Sequence, residues 1–411
     1  MKPTRSLILA AAVITSLGVI AGPVAAAPAG LRLADAGPGR ISTAAAEPIA
    51  DSYLALLADE QASPDVVKRT GDEVARQYGI TVVHLYTSSL KGFAVKADAE
   101  QARALTLDRR FRSIWQDAEV RTTALQVQNS PSAWGLNRID QRSLPMDTKY
   151  HYPNTASSVK AYIIDTGIRY THQEFNGQAI YGIDTVGGVF PPGNDCNGHG
   201  THVAGTVGGQ TMGVAKDVQL VSVRVLNCAG AGSYAGVIAG VDWVTNNSIM
   251  TGTKAVANMS LGGPAFPPLN TAVANSIAAN VHYSVSAGNS NNNACLQSPA
   301  STPAATTVGA TTNTDARAPF SSFGTCLDLF APGVNITSAW ATSDTAYQTI
   351  SGTSMAAPHA TGTAALWRHK FPADTAWQTA AALADNATPG VVSNAGLGSP
   401  NKLLFMGMVP A

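Results

Sequence analysis

The sequence predicts an α/β domain built on a mostly parallel sheet with helices on both faces, preceded by a small α+β module of ferredoxin-like order. Three observations carry this. Charge breaks near residue 126. Residues 28–126 hold 12 Lys+Arg and 13 Asp+Glu, and the same numbers are spread over residues 127–411, a stretch nearly three times as long. Glu174 is the only Glu of that second stretch, and all four cysteines lie in it. The apolar patterns differ too: the first part reads β-α-β-β-α-β. The second alternates short β-rich runs with helical ones, which calls for a parallel sheet covered on both faces.

The chain starts MKPTRSLILAAAVITSLGVIAGPVAAAPAG. Lys2 and Arg5 precede an apolar run from Leu7 to Ile20, and Ala25, Ala26 and Ala27 supply small residues for a peptidase. This predicts a secretory signal over residues 1–27, with an apolar run shorter than the ~20 residues that span a bilayer. SYLALLADE is strand-like. SPDVVKRTGDEVARQYG has helical spacing, with Val66, Val67 and Val74 apolar and Gly79 as a stop. GITVVHLYTSSLKGFAVKA carries two strands, AEQARALTLDRR a short helix, and FRSIWQDAEV a last strand. TTALQVQNSPSAWG has no periodicity and reads as an exposed linker.

In the second part VKAYIIDTGI, VQLVSVRVL, KAVANMSLGG and VHYSVSAGN are predicted strands. HGTHVAGTVGG, YAGVIAGVDWVTNN and TAVANSIAAN are predicted helices. Asp165, Gly262-Gly263 and Gly288-Asn289 fall at strand ends, where ligands bind in open parallel sheets.

Three residues can carry nucleophilic chemistry. Ser354 stands in SGTSMAAPHATGTAALW, where serine is a good helix cap as well as a nucleophile. A serine hydroxyl needs a base within hydrogen-bond reach, and the base needs an orienting group. Asp165, His199 and Ser354 occur in that chain order, one of three unrelated orders known for such a constellation. His202, three residues after His199, raises a metal pair, but no HExxH accompanies it. The net formal charge of zero gives no support for nucleic acid or an anionic membrane as partner. Four cysteines allow three pairings, and without a CxxC pair a zinc cluster is disfavoured.

The frames YIIDTGI, NGHGTHVAGT and SGTSMAAPH resemble those of the subtilisin-like serine proteases. WGLNRIDQR, VRVLNCAGAGS, GVIAGVDWV, AVANMSLGG and SAGNSNNNAC are similar to the proteinase K branch, and within it to secreted bacterial aqualysin-like enzymes. The resemblance spans Val127 to Met408. It implies a secreted, extracellular serine endopeptidase made as a self-cleaving zymogen. Residues 28–126 would be a propeptide, with an inhibitory module over about 47–122. The chain would cut itself near Gln126–Val127, leaving a catalytic domain over 127–411.

The resemblance also implies roles. Asp165, His199 and Ser354 would form the triad, and Asn289 would donate to the oxyanion. Gly230, Ala231 and Gly232, and Ser260, Leu261 and Gly262, would edge the groove for an extended peptide. Ser286, Ala287 and Gly288 would form the pocket's other wall, the small residues leaving room for large apolar or aromatic side chains. Cys196 would pair with Cys228, and Cys295 with Cys326. Structural calcium would sit on Asp328 with the carbonyls of Pro303 and Ala305. A second calcium site would retain Asp140 and Gln141, with Asn137 where relatives carry Asp. No cofactor is expected for catalysis. Protein or peptide substrates and the chain's own propeptide are the expected partners of a monomer, with no nucleic acid and no membrane. Two other readings conflict with the residues. An esterase of the α/β-hydrolase class calls for G-x-S-x-G around the serine and the His last. A silent peptide-binding protein on the same fold calls for loss of Asp165, His199, Ser354 or Asn289, and all four are present.

Overall fold

The computed structural model describes residues 40–43, 48–87, 91–118, 126–188 and 191–410. The expected signal over 1–27 lies outside the described residues, as do residues 119–125 just ahead of the expected cleavage bond. The chain divides into two compact units, residues 1–122 and 123–411.

The first unit holds β1 (Ile41–Ser42), β2 (Pro48–Leu57), α1 (Pro64–Tyr78), β3 (Thr81–Tyr86), β4 (Gly92–Lys96), α2 (Ala99–Leu105) and β5 (Phe111–Ala118). The sheet order is β1-β5-β2-β4-β3. Apart from the added β1, this is the predicted β-α-β-β-α-β module. Local chemistry sets its helix ends. Ser63 caps α1, Pro64 opens it, and Gly79 stops it in the left-handed conformation at φ 67°. Asp98 and Gln101 form a reciprocal capping box on α2. Val67 and Val74 of α1 and Ala102 and Leu105 of α2 pack on Tyr53, Ala55, Phe93, Val95 and Ile114.

The second unit starts with β6 (Gln126–Asn129), α3 (Trp134–Ile139), β7 (Lys149–Tyr152), β8 (Val159–Asp165), β9 (Ala179–Asp184), α4 (His199–Gly208), β10 (Gln219–Arg224), α5 (Tyr234–Thr251) and β11 (Lys254–Met259). It continues through β12 (Gly263–Pro264), α6 (Pro267–Ala278), β13 (Val281–Ser286), β14 (Gln297–Ser298), β15 (Thr306–Thr311), β16 (Leu329–Pro332), β17 (Ile336–Ala339) and β18 (Tyr347–Ile350). Helices α7 (Thr353–Lys370) and α8 (Ala376–Asn386) and strands β19 (Thr388–Pro389) and β20 (Lys402–Leu403) complete it.

Nine strands form one sheet in the order β19-β20-β16-β15-β13-β11-β8-β10-β9. Every pair in it is parallel except β19 with β20. Alternation along β8 shows why both faces are covered. Ala161 and Ile163 join the core under α4 and α7, while Tyr162 and Ile164 join the core under α5 and α6. Helix α7 crosses the sheet centre, and all its residues from Met355 to Leu366 are buried.

The linker expectation for residues 122–135 fails in part. Gln126–Asn129 is a strand, paired antiparallel with β7 from Gln126↔Tyr152 to Asn129↔Lys149. Its partner lies some 20 residues on, so no local periodicity announces it. The Gln128 side chain is held at both ends, donating to the Thr211 carbonyl at 2.9 Å and accepting from Lys216 Nζ at 2.7 Å.

Candidate active site

Asp165 ends β8 and His199 opens α4. The turn before His199 needs glycine: Gly198 sits at φ 113°, and a Cβ there would stand 2.4 Å from Trp340. At Gly200 a Cβ would stand 2.2 Å from the Gly167 carbonyl, so this glycine lets α4 press against the Asp165 turn. The first three N–H groups of α4 are satisfied from different segments. Asn197 Oδ1 accepts from His199 at 3.2 Å, Thr166 Oγ1 from Gly200 at 2.9 Å, and Asp195 Oδ2 from Thr201 at 2.9 Å.

His199 Nδ1 lies 2.7 Å from Asp165 Oδ1, which also accepts from the Thr166 N–H at 2.8 Å. Asp165 is fully buried, whereas a quarter of the His199 side chain is exposed. Burial pulls the His199 pKa down. The Asp165 carboxylate, by charge and by its hydrogen bond, outweighs this, with a smaller contribution from Asp195. The net result lies above the ordinary 6.5.

Ser354 is the second residue of α7, and the helix cap is Gly352, so the cap reading of Ser354 is corrected. Its hydroxyl donates to the Ser260 carbonyl at 3.2 Å, and the Ser260 hydroxyl donates back to the Ser354 carbonyl at 2.7 Å. Pro358 explains why that carbonyl is free. It sits four residues later inside the helix and has no N–H to offer. Ser260 is held in turn by Asn258 Nδ2 at 2.8 Å, and Asn258 Oδ1 accepts from Thr361 at 2.9 Å.

Asn289 follows β13 and is exposed. Its Oδ1 accepts from the Thr353 N–H at 2.8 Å and from Thr353 Oγ1 at 2.9 Å. With the oxygen so committed, Nδ2 is the free donor. A Cβ placed on Gly352 would lie 3.4 Å from Asn289 Nδ2 and 3.6 Å from the Ser354 nitrogen, so both donors border one small space.

A groove of about 590 Å³ is lined by His199, Thr166, Gly230, Ala231, Gly232, Ser260, Leu261 and Gly262, with Tyr234 and Gly263 further along. Asn227 shapes one edge: its Oδ1 accepts from Ala229 at 2.9 Å and Ala231 at 3.1 Å. Ser286, Ala287 and Gly288 are not among the residues lining this groove. Ser286 Oγ reaches the Leu261 carbonyl at 3.5 Å, Ala287 is fully buried, and the Gly288 N–H donates to Thr353 Oγ1 at 3.1 Å.

Cys196 bonds to Cys228 and Cys295 to Cys326 across sequence separations of 32 and 31. Loops of this size contribute roughly 3.7 kcal/mol each in the chain-entropy picture. The first bridge joins the loop before His199 to the groove edge, beside the Asn197 Nδ2 bond to the Cys228 carbonyl at 2.9 Å. The second joins the loop after Asn289 to residues 320–326, where Ala294 and Phe323 also bond through the backbone.

Among the described residues no group of three or more His, Cys, Asp or Glu is placed to hold a metal. Asp328 accepts from the Thr307 N–H at 2.7 Å. Burial pushes its carboxyl up to about 6, against the pull of Thr307 and Lys402. Ala305 is buried and Pro303 exposed, just before β15. Asp140 Oδ2 accepts from the His151 N–H at 2.6 Å and lies 3.1 Å from His151 Nδ1, while Oδ1 is buried without a partner. Gln141 Oε1 already accepts from the Asp147 N–H at 3.1 Å. His202 and His359 are fully buried, lowered to about 4 by burial, and bonded to backbone carbonyls. They are packing residues of α4 and α7.

The sequence reading missed Asp195, Thr166 and Thr353. A signal existed for Asp195, an acidic residue just ahead of a glycine-marked helix start.

Comparison with known proteins agrees with this arrangement. The profile of the Subtilase family matches residues 157–403, and that of the Peptidase inhibitor I9 family matches residues 50–123. The chain is 55% identical over 329 residues to an extracellular serine proteinase of Thermus sp. (strain Rt41A), covering 80% of this chain and 78% of that one. It is 44% identical over 367 residues to alkaline serine exoprotease A of Vibrio alginolyticus, covering 87% of this chain and 67% of the relative. The crystal structure of a cold adapted subtilisin-like serine proteinase superposes with a TM-score of 0.64 at 48% identity, covering 67% of this chain and 99% of that one. The chain belongs to the subtilase family, with a peptidase inhibitor I9 segment ahead of its catalytic domain.

Proposed function

We propose that the chain is a secreted serine endopeptidase that acts through Asp165, His199 and Ser354 and is made as a zymogen. The observation that carries the reading is the 2.7 Å His199–Asp165 pair on a groove whose Ser260 carbonyl holds the Ser354 hydroxyl. For attack, the hydroxyl leaves that carbonyl and turns to His199 Nε2, which takes its proton as Oγ bonds to the substrate carbonyl carbon. Asp165 fixes the ring tautomer and stabilises the imidazolium. Asn289 Nδ2 and the Ser354 N–H receive the oxyanion, at a helix start that favours negative charge. His199 then gives its proton to the leaving amine, and water repeats the steps on the acyl-enzyme.

The edges Gly230–Gly232 and Ser260–Gly262 take an extended peptide by main-chain pairing, which reads backbone rather than sequence. Ser286, Ala287 and Gly288, small residues tied to Leu261 and Thr353, would leave room for large apolar or aromatic side chains in the main pocket. The I9 segment serves as the chain's own inhibitor, released by self-cleavage near Gln126–Val127. Residues 1–27 direct export. No helix among the described residues is long and apolar enough to cross a membrane.

A sulfonyl fluoride is expected to label Ser354 alone and stop casein hydrolysis. The pH profile of kcat/KM adds a second check. His199 must be neutral to accept a proton, and its pKa is raised above 6.5. Activity is therefore expected to fall with an acid limb above pH 6.5. A rate at pH 5 equal to that at pH 8 would sink the assignment.

Asp328 with the Pro303 and Ala305 carbonyls would supply hard oxygen donors of the kind calcium takes. A buried carboxyl lifted from 3.8 to about 6 costs the fold stability that is lost as pH rises through that window and stays lost above it, and a cation would reverse the cost. At a calcium level 100 times Kd the gain is about 2.7 kcal/mol, or roughly 5–10 °C. Chelation is expected to lower the thermal midpoint by that amount in the wild type and far less in Asp328→Asn. Equal drops in both would remove the site. A second site would draw on Asp140, whose buried Oδ1 has no partner, and on Gln141.

A further inference from the structure

We infer that Asp195 is a positioning residue for the reaction: a second carboxylate that locks the Asp165 turn to the His199 helix and adds its charge behind the imidazole. The inference rests on the triad reading above. Asp195 is only 5% exposed, yet none of its bonds goes to a cation. Its Oδ1 accepts from Thr166 Oγ1, the Asn197 N–H and the Gly198 N–H, each at 2.9 Å. Its Oδ2 accepts from the Thr201 N–H at 2.9 Å and from Thr201 Oγ1 at 2.7 Å.

Five donors converge on this one buried carboxylate. Their origins define its role. Thr166 directly follows Asp165, and its hydroxyl also accepts from the Gly200 N–H at 2.9 Å. Asn197 and Gly198 form the turn before His199, and Thr201 lies in the first turn of α4. One side chain thus ties together the two segments whose separation sets the 2.7 Å Asp165–His199 bond. A carboxylate at this end of α4 also complements its dipole.

The ionisable groups around His199 are few. Asp165 faces it from the end of β8 and Asp195 from the loop before α4, and both favour the imidazolium. His202, one turn along α4, is held neutral by burial. Arg224, at the end of β10, spends its charge on Asp184 at 2.9 Å.

The test compares Asp195→Asn with Thr166→Val in the full chain. Asp195→Asn removes the charge at constant size. It is expected to lower kcat about 10- to 100-fold, the scale of a small misplacement of reacting groups, with KM changed less than about 3-fold. Its acid limb should move to lower pH, because one anion behind the ring is lost. Thr166→Val breaks the bridge and leaves both carboxylates in place. It should lower kcat without moving the acid limb, and Thr166→Ser should restore the rate. A far-ultraviolet circular dichroism spectrum and a cooperative thermal transition report that each variant is folded. An Asp195→Asn enzyme with wild-type kcat and an unmoved acid limb overturns the proposal. So does Thr166→Val with wild-type kcat, which decides the matter if Asp195→Asn does not fold. A His199→Ala chain that still hydrolyses casein would instead overturn the triad reading itself.

Discussion

Alanine at position 354 is expected to leave the chain at full length and without activity on casein. The loss in kcat should be roughly 10⁶-fold, the size seen when subtilisin loses its nucleophile. Folding should survive. The Ser354 side chain makes one bond, to the Ser260 carbonyl, and the stronger bond from the Ser260 hydroxyl goes to backbone that alanine keeps. A trace of the active protein added to the full-length variant should cut it near Gln126–Val127, which shows that the bond is accessible and only the nucleophile is missing. A variant that shortens itself at the wild-type rate would remove Ser354 from the mechanism.

Asn289 carries the second large effect. Its replacement by alanine should lower kcat by about 10² to 10³, again the subtilisin benchmark for one oxyanion donor, while KM stays within about 3-fold. Alanine also deprives the Thr353 N–H of its acceptor. Asn289→Asp separates the two roles, because it keeps an acceptor for Thr353 and removes the donor. If catalysis depends on the donor, aspartate is at least as damaging as alanine. If aspartate restores the rate, Asn289 serves only to hold the start of α7.

Both units were readable in outline because strands and helices alternate with clear periods and glycines mark the ends. Asp165, His199, Ser354 and Asn289 sit at such ends, inside long local frames. What resisted reading is held by long-range contacts. Strand β6 depends on β7, and Ser286 and Gly288 are tied by hydrogen bonds to Leu261 and to Thr353, 25 and 65 residues away in sequence. Pro358 looks like an ordinary early helix proline until Ser260, almost 100 residues away in sequence, is seen on the carbonyl it leaves open. Charged residues in the core are equally hidden from a hydrophobic pattern. Arg138 is fully buried against Asp315 at 2.7 Å, and Arg368 is fully buried at the end of α7, bonded to the carbonyls of Ala255 and Asn280.

The two disulfides bear on timing. One fastens the loop before His199 to the groove edge, and the other fastens the loop that follows Asn289. Neither bond persists in a reducing cytoplasm. While the chain is inside the cell that makes it, the parts that must hold still for peptide cleavage lack their covalent ties. Oxidation after export supplies them. The same two bridges thus hold the segments beside His199 and Asn289 only once the chain is in an oxidising medium.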